Sequence, residues 1–347
     1  MFYPAYGTAR GVWATITGIP DVSASKTASR NMAMVNQNTI INYFKGYEKF
    51  YFLGGSTSWA NIRGLLVNNI EGLHLYEEEN YNSPRVDVWG ISDKNLFLES
   101  NAVLKQQTKP FFAVIQTAGN HRPYTIPAED KPFFKTVHFS EDSLKHNGFE
   151  SNDELNAFRY SDYCFQQFFE AAQKENYYKN TVFVFVGDHG ILGTAPASFP
   201  NAWNEGALTR LHVPLLFYSP NYLTPQKISS VCSQVDVLPS IASLMGIGYK
   251  NSSTGRNLFD THRVHDTSSF LQSAFNYNAD ENRAGLMGNQ YYYEIALSTG
   301  EEKFVSMLNN NPVPVTEETK KWKAEAKAFT KAIYKTSAYL LLNNKRK

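Results

Sequence analysis

The feature that most constrains this chain is a run of six uncharged residues, 181–186, followed directly by Gly187-Asp188-His189-Gly190. The β-branched and aromatic side chains of the run predict a strand buried on both faces, as inside a parallel sheet. In open α/β sheets, reactive groups gather beyond the carboxyl ends of the strands, and the glycines allow a sharp turn there. A carboxylate and an imidazole at that place suit a divalent cation such as manganese or zinc. The alternative is an ordinary turn with a surface acid and a histidine.

Strand-like and helical segments alternate along the chain, which predicts an α/β layered fold. Apolar runs predict strands at 50–53, 110–115, 182–186 and 213–218. Amphipathic or glycine-capped segments predict helices at 154–175 and 236–245. Two of the strands deliver a histidine just past their carboxyl ends, namely His121 and His189. Near the end of the chain, residues 290–306 predict a hairpin and residues 316–342 predict one amphipathic helix.

Composition supports a folded protein and excludes several classes of function. The chain has 347 residues, 42% hydrophobic and 19% charged, enough for one large α/β domain or two small ones. The net charge of +1 gives no basis for bulk nucleic-acid binding. Cys164 and Cys232 are the only cysteines, so there is no disulfide framework and no cysteine-rich metal site. No apolar run reaches the roughly 18 residues of a membrane span.

A second group of reactive residues lies at the start of the chain. Gly7-Thr8-Ala9-Arg10-Gly11 precedes residues 12–17, which predict the first turns of a helix that closes at Gly18. A hydroxyl on the first turn of a helix lies where free N–H groups and the helix dipole attract a phosphate, with Arg10 as a further partner. Coordination to a metal would activate the threonine hydroxyl as a nucleophile. The alternative is a threonine that only caps the helix.

The Gly7–Gly11 motif resembles the nucleophile motif of the lipoteichoic acid synthase and phosphoglycerol/phosphoethanolamine transferase group. That group belongs to the sulfatase-like branch of the alkaline phosphatase superfamily. Seven further blocks match it in order, over about residues 2–260. They are Gly54-Gly55 through Asn61-Ile62-Arg63-Gly64, Trp89-Gly90-Ile91-Ser92-Asp93, Asn120-His121-Arg122-Pro123-Tyr124, Phe158-Arg159-Tyr160-Ser161-Asp162, Gly187-Asp188-His189-Gly190, His212-Val213-Pro214 and Ser233-Gln234-Val235-Asp236-Val237-Leu238-Pro239.

The resemblance implies a role for each matching residue. Thr8 would be the nucleophile and a metal ligand, together with the ligands Asp188 and His189. His121 would face the phosphate or the leaving group, where it could stabilise charge or carry a proton.

The remaining roles concern the substrate and the surroundings of the metal. Arg63 would bind the substrate phosphate. Arg10, Arg122 and Trp89 would also contact the substrate, with core packing as the alternative for Trp89. His212 would lie beside the metal ligands, with the capping of a strand as its alternative. The other histidines are expected on the surface: His74, His138, His146, His262 and His265.

The implied fold is a three-layer α/β sandwich with a mostly parallel central sheet. The implied reaction moves phosphoglycerol or phosphoethanolamine from a phospholipid to an envelope glycan or glycolipid through a phospho-threonine. It would use one divalent metal ion, with manganese preferred over magnesium or zinc. By the same resemblance, the catalytic domain would work on the outer face of the cytoplasmic membrane, without nucleic acid.

Two other functions remain open. One is a sulfatase-like hydrolase that acts on phosphodiesters or sulfate esters, although neither Cys164 nor Cys232 stands in the C-x-P-x-R setting of cysteine-type sulfatases. The other is a non-catalytic module that binds a phosphorylated ligand.

The chain departs from the pattern of the group in two ways. The group has a strand before the nucleophile that ends in an acidic metal ligand, and membrane helices further upstream. This chain begins seven residues before Thr8, so we expect a chain truncated at its amino terminus, with weak metal binding and little activity. Leu53 stands near the place of a substrate-binding histidine in some relatives.

We expect a catalytic domain over 1–284, with the hairpin and helix of 285–347 packed on it.

Overall fold

The computed structural model describes residues 1–24, 26–190, 193–260 and 272–346. His262 and His265, expected on the surface, lie outside the described residues. Within these residues the α-helices are, in chain order, α1 (Thr8–Thr17), α2 (Ile62–Asn69), α3 (Asp93–Leu104), α4 (Glu141–His146), α5 (Asn152–Ala172), α6 (Asn201–Glu205), α7 (Val237–Leu244) and α8 (Glu317–Asn343).

The strands of the described residues form three sheets. The strands are β1 (Glu48–Leu53), β2 (Leu73–Tyr76), β3 (Phe111–Gln116), β4 (Phe183–Val186), β5 (Leu215–Tyr218), β6 (Ala274–Asn278), β7 (Arg283–Met287), β8 (Tyr291–Ala296) and β9 (Glu302–Ser306). The sheet orders are β2-β1-β3, β4-β5 and β6-β7-β8-β9. The predicted strands at 50–53, 110–115, 182–186 and 213–218 correspond to β1, β3, β4 and β5.

The chain folds into two compact units, each built from separate stretches of sequence. The first unit comprises Met1–Tyr43, Phe185–Leu216 and Gln226–Lys347, and the second comprises Phe44–Val184 and Phe217–Pro225. The expected division into 1–284 and 285–347 stays a prediction.

The second unit is built around a parallel sheet. β1 lies in the middle and pairs in parallel with both β2 and β3, with Phe50 beside His74 on one side and beside Ala113 on the other. Apolar side chains of β1 pack with α3, and the larger cluster of the unit joins α3 to α5. The predicted α/β fold with a parallel sheet and flanking helices is therefore confirmed.

The strand that leads to Asp188 is less buried than predicted. The residues of β4 are only half-buried, and Val186 is 38% exposed. In the described part of the chain β4 belongs to a sheet of two strands. The prediction that this strand is buried on both faces, as in the middle of a large sheet, is therefore wrong.

The first unit begins with helix α1. Gly18 ends this helix in the left-handed conformation, with φ of 69°, and its N–H donates to the Ala14 carbonyl. A glycine adopts this conformation without steric cost, so the predicted closure at Gly18 is confirmed. Trp13 and Ile16 are buried and fix the inner face of the helix.

The carboxy-terminal part of the first unit is an antiparallel sheet covered by a long helix. The predicted hairpin is confirmed as β8 and β9, and the predicted helix as α8. Sequence analysis missed β6 and β7, which extend this hairpin to four strands. The first residues of the chain pack on the same unit, since the Tyr277 N–H donates to the Pro4 carbonyl at 2.9 Å.

Among the helices of the described residues, none combines the length and the apolar character that crossing a membrane requires.

A buried ion pair gives a test of stability in the second unit. The carboxylate of Asp130 is 1% exposed, pairs with the Lys94 ammonium, and accepts a hydrogen bond from the Tyr160 hydroxyl at 2.5 Å. Lys94→Met keeps the length of the side chain but leaves the buried carboxylate without its cation. We expect a loss of about 3 kcal/mol in the free energy of unfolding, measured by urea titration.

Lys145→Met is the matched control for this prediction, because Lys145 and its partner Glu141 are both exposed. Removal of such a surface pair should change the free energy of unfolding by less than about 0.5 kcal/mol. Equal effects of the two substitutions would contradict a stabilising role for the Lys94–Asp130 pair.

Candidate active site

Thr8 is the first residue of α1, and its hydroxyl does not cap the helix. Gly7 occupies the cap position with φ of 92°, and no side-chain hydrogen bond caps this end. The alternative of a threonine cap is therefore wrong. The buried Tyr3 hydroxyl donates to the Gly7 carbonyl, and burial raises the pKa of Tyr3, which keeps this phenol protonated. The Thr8 hydroxyl is thus left at the positive end of a helix dipole.

Thr8, Asp188 and His189 come together in the first unit, as the family resemblance implied. The Thr8 Oγ1 lies 3.2 Å from the His189 Nε2. The same nitrogen lies 3.7 Å from the Asp188 Oδ2. The Asp188 Oδ1 accepts the N–H of His189 at 2.9 Å, which orients the carboxylate. A hydroxyl, an imidazole and a carboxylate therefore lie close together, although Thr8 and His189 are 181 residues apart in sequence.

The hydrogen bonds of His189 select its tautomer. The His189 Nδ1 lies 2.9 Å from the Gly190 carbonyl oxygen, which can only accept a hydrogen bond. Nδ1 must therefore carry the proton, and the lone pair of the neutral ring then lies on Nε2, toward Thr8. A backbone carbonyl that fixes the outer nitrogen in this way is the usual second partner of a histidine that binds a metal.

The loop that carries Asp188 is held by its backbone. The Gln234 Nε2 donates to the carbonyls of Gly187 at 2.5 Å and of Asp188 at 2.8 Å. A Cβ atom at Gly11 would lie 2.8 Å from the Asp188 carbonyl oxygen, so only glycine permits this approach of α1 to the loop. Sequence analysis assigned no role to Gly11 or Gln234, although both lie within matching blocks.

The donor set suits a divalent cation in part. Threonine oxygen, carboxylate oxygen and imidazole nitrogen are all ligands that manganese accepts. Over the residues that the structure describes, however, no group of three or more His, Cys, Asp or Glu side chains is arranged to hold a metal ion. Asp188 and His189 supply two such side chains, and Thr8 would be the third ligand.

The guanidinium of Arg10 is engaged in contacts within the protein. Its guanidinium is buried and pairs with the Asp21 carboxylate at 3.1 Å. It also donates to the backbone carbonyls of Asp21 at 2.9 Å and Ser23 at 3.1 Å. These contacts fasten α1 to the segment that follows it, and binding of a phosphate by Arg10 stays a prediction.

His212 lies in an aromatic cluster of the first unit. Its ring is 5.3 Å from the rings of both Phe2 and Trp203, and 6.0 Å from that of Phe199. Its backbone forms an isolated bridge with Phe2. His212 thus packs the first residues of the chain against the residues around Phe199 and Trp203. The predicted role of His212 beside the metal ligands stays a prediction.

The second unit brings together Trp89, His121 and Arg122. The rings of Trp89 and His121 are stacked, with 4.4 Å between their centroids and 25° between their planes. The Trp89 Nε1 donates to the Arg122 carbonyl at 2.7 Å. Trp89 therefore holds both the ring of His121 and the backbone that follows it.

A buried carboxylate fixes the turn that precedes His121. Asp93 is 4% exposed and accepts the N–H groups of Ala118 at 2.9 Å and Gly119 at 3.0 Å. Burial raises the pKa of Asp93, against the lowering effect of these two hydrogen bonds. Sequence analysis placed Asp93 in a matching block without a role, and the structure identifies its contacts.

The two arginines predicted to bind substrate in the second unit both contact carboxylates. The Arg122 Nε donates to Glu150 at 2.8 Å, and this hydrogen bond lowers the pKa of Glu150. The Arg63 Nη2 lies 2.7 Å from Glu77, and both arginine side chains are more than half exposed. Both guanidinium groups reach solvent, so an anionic substrate could compete for either, although Glu77 itself is only 18% exposed and also accepts hydrogen bonds from Thr57.

Comparison with known proteins identifies the family and the fold that this chain resembles. The family model described as Sulfatase matches residues 1–247. Lipoteichoic acid synthase 1 of Bacillus subtilis is 25% identical over 276 residues, which cover 75% of this chain and 40% of that protein. The chain spans 26 to 40% of the length of the first curated relatives it matches.

Two solved structures share the fold. The lipoteichoic acid synthase LtaP from Listeria monocytogenes has a TM-score of 0.75 at 17% identity, over 99% of this chain and 82% of that one. A protein of the alkaline phosphatase superfamily from Vibrio parahaemolyticus has a TM-score of 0.73 at 24% identity, over 96% of this chain and 77% of that one. The family match over residues 1–247, more than half of the chain, establishes that the chain belongs to the sulfatase family.

Proposed function

We propose that this chain carries the catalytic residues of a metal-dependent transferase that moves phosphoglycerol or phosphoethanolamine from a phospholipid to an envelope glycan or glycolipid. The observation that carries the proposal is the placement of the Thr8 hydroxyl 3.2 Å from the His189 Nε2, beside Asp188. The sequence similarity to lipoteichoic acid synthase 1 supports the choice of a phosphoglycerol carrier.

Thr8, Asp188 and His189 would hold the cation, and manganese is our first choice. When bound, the ion would lower the pKa of the Thr8 hydroxyl and offset negative charge on the phosphoryl oxygens. The protein residues prepare this arrangement themselves. Gly190 sets the tautomer of His189, and Gln234 and Gly11 fix the backbone of Asp188.

The proposed reaction has two displacements at one phosphorus atom. In the first, the Thr8 Oγ1 forms a bond to phosphorus, the bond from phosphorus to the diacylglycerol oxygen breaks, and the threonine proton passes to solvent. The departing oxygen takes a proton from His121, in the role that the resemblance gives this residue. In the second, the acceptor hydroxyl attacks phosphorus, gives its proton to His121, and releases the Thr8 oxygen, which is protonated again.

The resemblance also supplies the proposed roles of the other residues. Arg63 and Arg122 would bind the phosphate in exchange for their present carboxylate partners, and Trp89 would contact the head group while it holds His121. By the same resemblance, the proposed reaction would take place at the outer face of the cytoplasmic membrane.

Hydrolysis is the second candidate function, and the family match favours it, since that family is described as Sulfatase. In this case water replaces the acceptor hydroxyl in the second displacement. The first displacement and the role of Thr8 are the same. A non-catalytic module that binds a phosphorylated ligand would perform neither displacement.

The experiment that tests the proposal is peptide-mapping mass spectrometry of the full-length gene product, purified from cells grown with manganese and incubated with phosphatidylglycerol or phosphatidylethanolamine. We expect a phosphoglycerol or phosphoethanolamine adduct on the peptide that contains Thr8. Thr8→Ala should lose the adduct and reduce turnover by at least about 10³-fold, because it removes the nucleophile.

Thr8→Ser is the matched control, because it keeps a hydroxyl and should keep both adduct and turnover. Since Gly7 occupies the cap position, Thr8→Ala should change the free energy of unfolding by less than about 0.5 kcal/mol. Normal turnover in Thr8→Ala would exclude the proposal. Release of free glycerol phosphate without transfer would favour the hydrolase, and the absence of any turnover would favour the binding module.

Gly11→Ala tests the link between α1 and the metal loop. The new Cβ would meet the Asp188 carbonyl oxygen at 2.8 Å, so the helix or the loop must move. We expect the affinity for Mn²⁺, measured by isothermal titration calorimetry, to fall about tenfold or more.

Gly248→Ala is the control for Gly11→Ala, since nothing lies within 4 Å of a Cβ atom at that glycine. If α1 were unobstructed at position 11, alanine there should stabilise this helix by about 1 kcal/mol relative to glycine. A Gly11→Ala variant that is more stable and binds Mn²⁺ normally would refute the close contact.

Trp89→Phe and Trp89→Ala separate the two contacts that Trp89 makes. Phenylalanine keeps a ring over His121 but loses the hydrogen bond to the Arg122 carbonyl, so kcat should fall about three- to tenfold. Alanine also loses the stacked ring and should cost about another tenfold. Trp322→Phe, a substitution of an indole in α8, should leave kcat unchanged. Equal kcat values for all three variants would show that Trp89 does not position His121.

A further inference from the structure

Helix α8 carries an exposed stripe of basic and apolar side chains in its second half. Lys331, Lys335, Tyr339 and Leu342 are all exposed, with exposed fractions of 64% for Tyr339 and 46% for Leu342. At 3.6 residues per turn, these four positions fall within about 80° of one helix face. Two large apolar side chains therefore stand in water beside two ammonium groups.

The opposite face of α8 is the one that packs on the protein. Ala326, Thr330, Ser337 and Leu341 are buried, and their positions lie together on the other side of the helix. The helix is held by these buried residues and by ring contacts of Trp322 with Phe304 and of Tyr334 with Tyr277. None of these residues belongs to the exposed stripe. Its apolar members are therefore not explained by the core of the first unit.

The end of α8 contacts the loop that carries Met32 and Ala33. The Lys345 ammonium donates to the Ala33 carbonyl, and the Gln37 Nε2 donates to the Leu341 carbonyl at 2.8 Å. Met32, next to Ala33, is 87% exposed. We call the surface formed by Met32, Lys331, Lys335, Tyr339, Leu342 and Lys345 the basic-apolar patch.

The two stretches of sequence that form the patch carry charge of one sign. The sequence has no Asp or Glu after Glu325, and none between Asp21 and Glu48. In the whole chain 33 basic residues nearly balance 32 acidic ones, so the absence of acids is a feature of these two stretches. A surface of this kind attracts a partner with negative charge.

We propose that the basic-apolar patch docks the protein on the surface of an anionic phospholipid bilayer. A bilayer with anionic head groups offers the negative charge that lysines need and, just beneath it, apolar volume for Met32, Tyr339 and Leu342. Tyrosine is favoured at this boundary because its ring is apolar and its hydroxyl stays hydrated. A soluble polyanion would satisfy the lysines but would leave the three apolar side chains in water.

This inference goes beyond the proposed function, because docking requires no chemistry at Thr8. It adds a second contact with phospholipid, made through the surface of α8. The two proposals can therefore fail independently.

The test is co-sedimentation of the 347-residue chain with vesicles of phosphatidylcholine, with or without phosphatidylglycerol. We expect partitioning to the phosphatidylglycerol vesicles that exceeds partitioning to pure phosphatidylcholine by about tenfold or more, since each basic side chain near an anionic surface contributes roughly fivefold. Lys331→Glu with Lys335→Glu should reduce partitioning by at least about tenfold. Tyr339→Ser with Leu342→Ser should reduce it by about tenfold through the loss of apolar burial.

Two double variants in the second unit serve as controls. Lys105→Glu with Lys174→Glu makes the same change of net charge at exposed positions, and Val67→Ser with Val88→Ser removes exposed apolar side chains. Both should partition like the unaltered chain, and so should Thr8→Ala, which separates docking from catalysis. Circular dichroism of every variant checks that the helix content is unchanged.

Three outcomes would overturn the proposal. The first is equal partitioning to both kinds of vesicle. The second is a loss of binding in the second-unit charge control that matches the loss in the α8 charge variant. The third is displacement by soluble polyglutamate together with normal binding of Tyr339→Ser/Leu342→Ser, which would identify the patch as a site for an acidic polymer.

Discussion

The arrangement around Thr8 depends on the close approach of α1 to the backbone of Asp188. Gly11 lies one helical turn beyond Thr8, and the absence of its side chain lets the helix reach the carbonyl of the loop. Gln234 then fixes that loop from another direction through two hydrogen bonds. The contact of Gly11 with the Asp188 carbonyl is made by the backbone. It therefore brings the side chains of Thr8 and His189 together without using either side chain.

The two units position their functional side chains by different physical means. In the first unit a glycine contact and a buried amide place Asp188 and His189. In the second unit an aromatic ring and the buried carboxylate of Asp93 place His121. The first arrangement uses a contact between backbone atoms, which a substitution elsewhere leaves in place. The second relies on a stacked pair of half-buried rings and is easier to alter by substitution.

The sequence predicted the elements that local patterns encode. The apolar runs of β1 and β3, the hairpin of β8 and β9 and the long helix α8 were all predictable, because periodicity and turn residues determine them. β6 and β7 were missed because their sequences alternate less clearly. The partial exposure of β4 was also missed, since burial depends on the neighbouring strands rather than on the strand itself.

The candidate active site also contains features that the sequence predicted and features that it did not. The meeting of Thr8 with His189 was implied by the family resemblance, which joins their two motifs, while the contacts of Arg10 with Asp21 depend on a loop whose path no pattern reveals. Gln234 and Gly11 act through backbone distances, which a sequence does not contain. Glycine at position 11 was visible, but only the structure identifies the atom that it makes room for.

The discontinuous course of the first unit has a consequence for its formation during synthesis. The segment that carries Thr8 leaves the ribosome early, whereas its neighbours come much later in the sequence. Tyr277 binds the Pro4 carbonyl, and Gln37 binds the carbonyl of Leu341 across 304 residues. Contacts of such long range form slowly and late. The amino-terminal segment can therefore complete these contacts only after most of the chain, α8 included, has been synthesised.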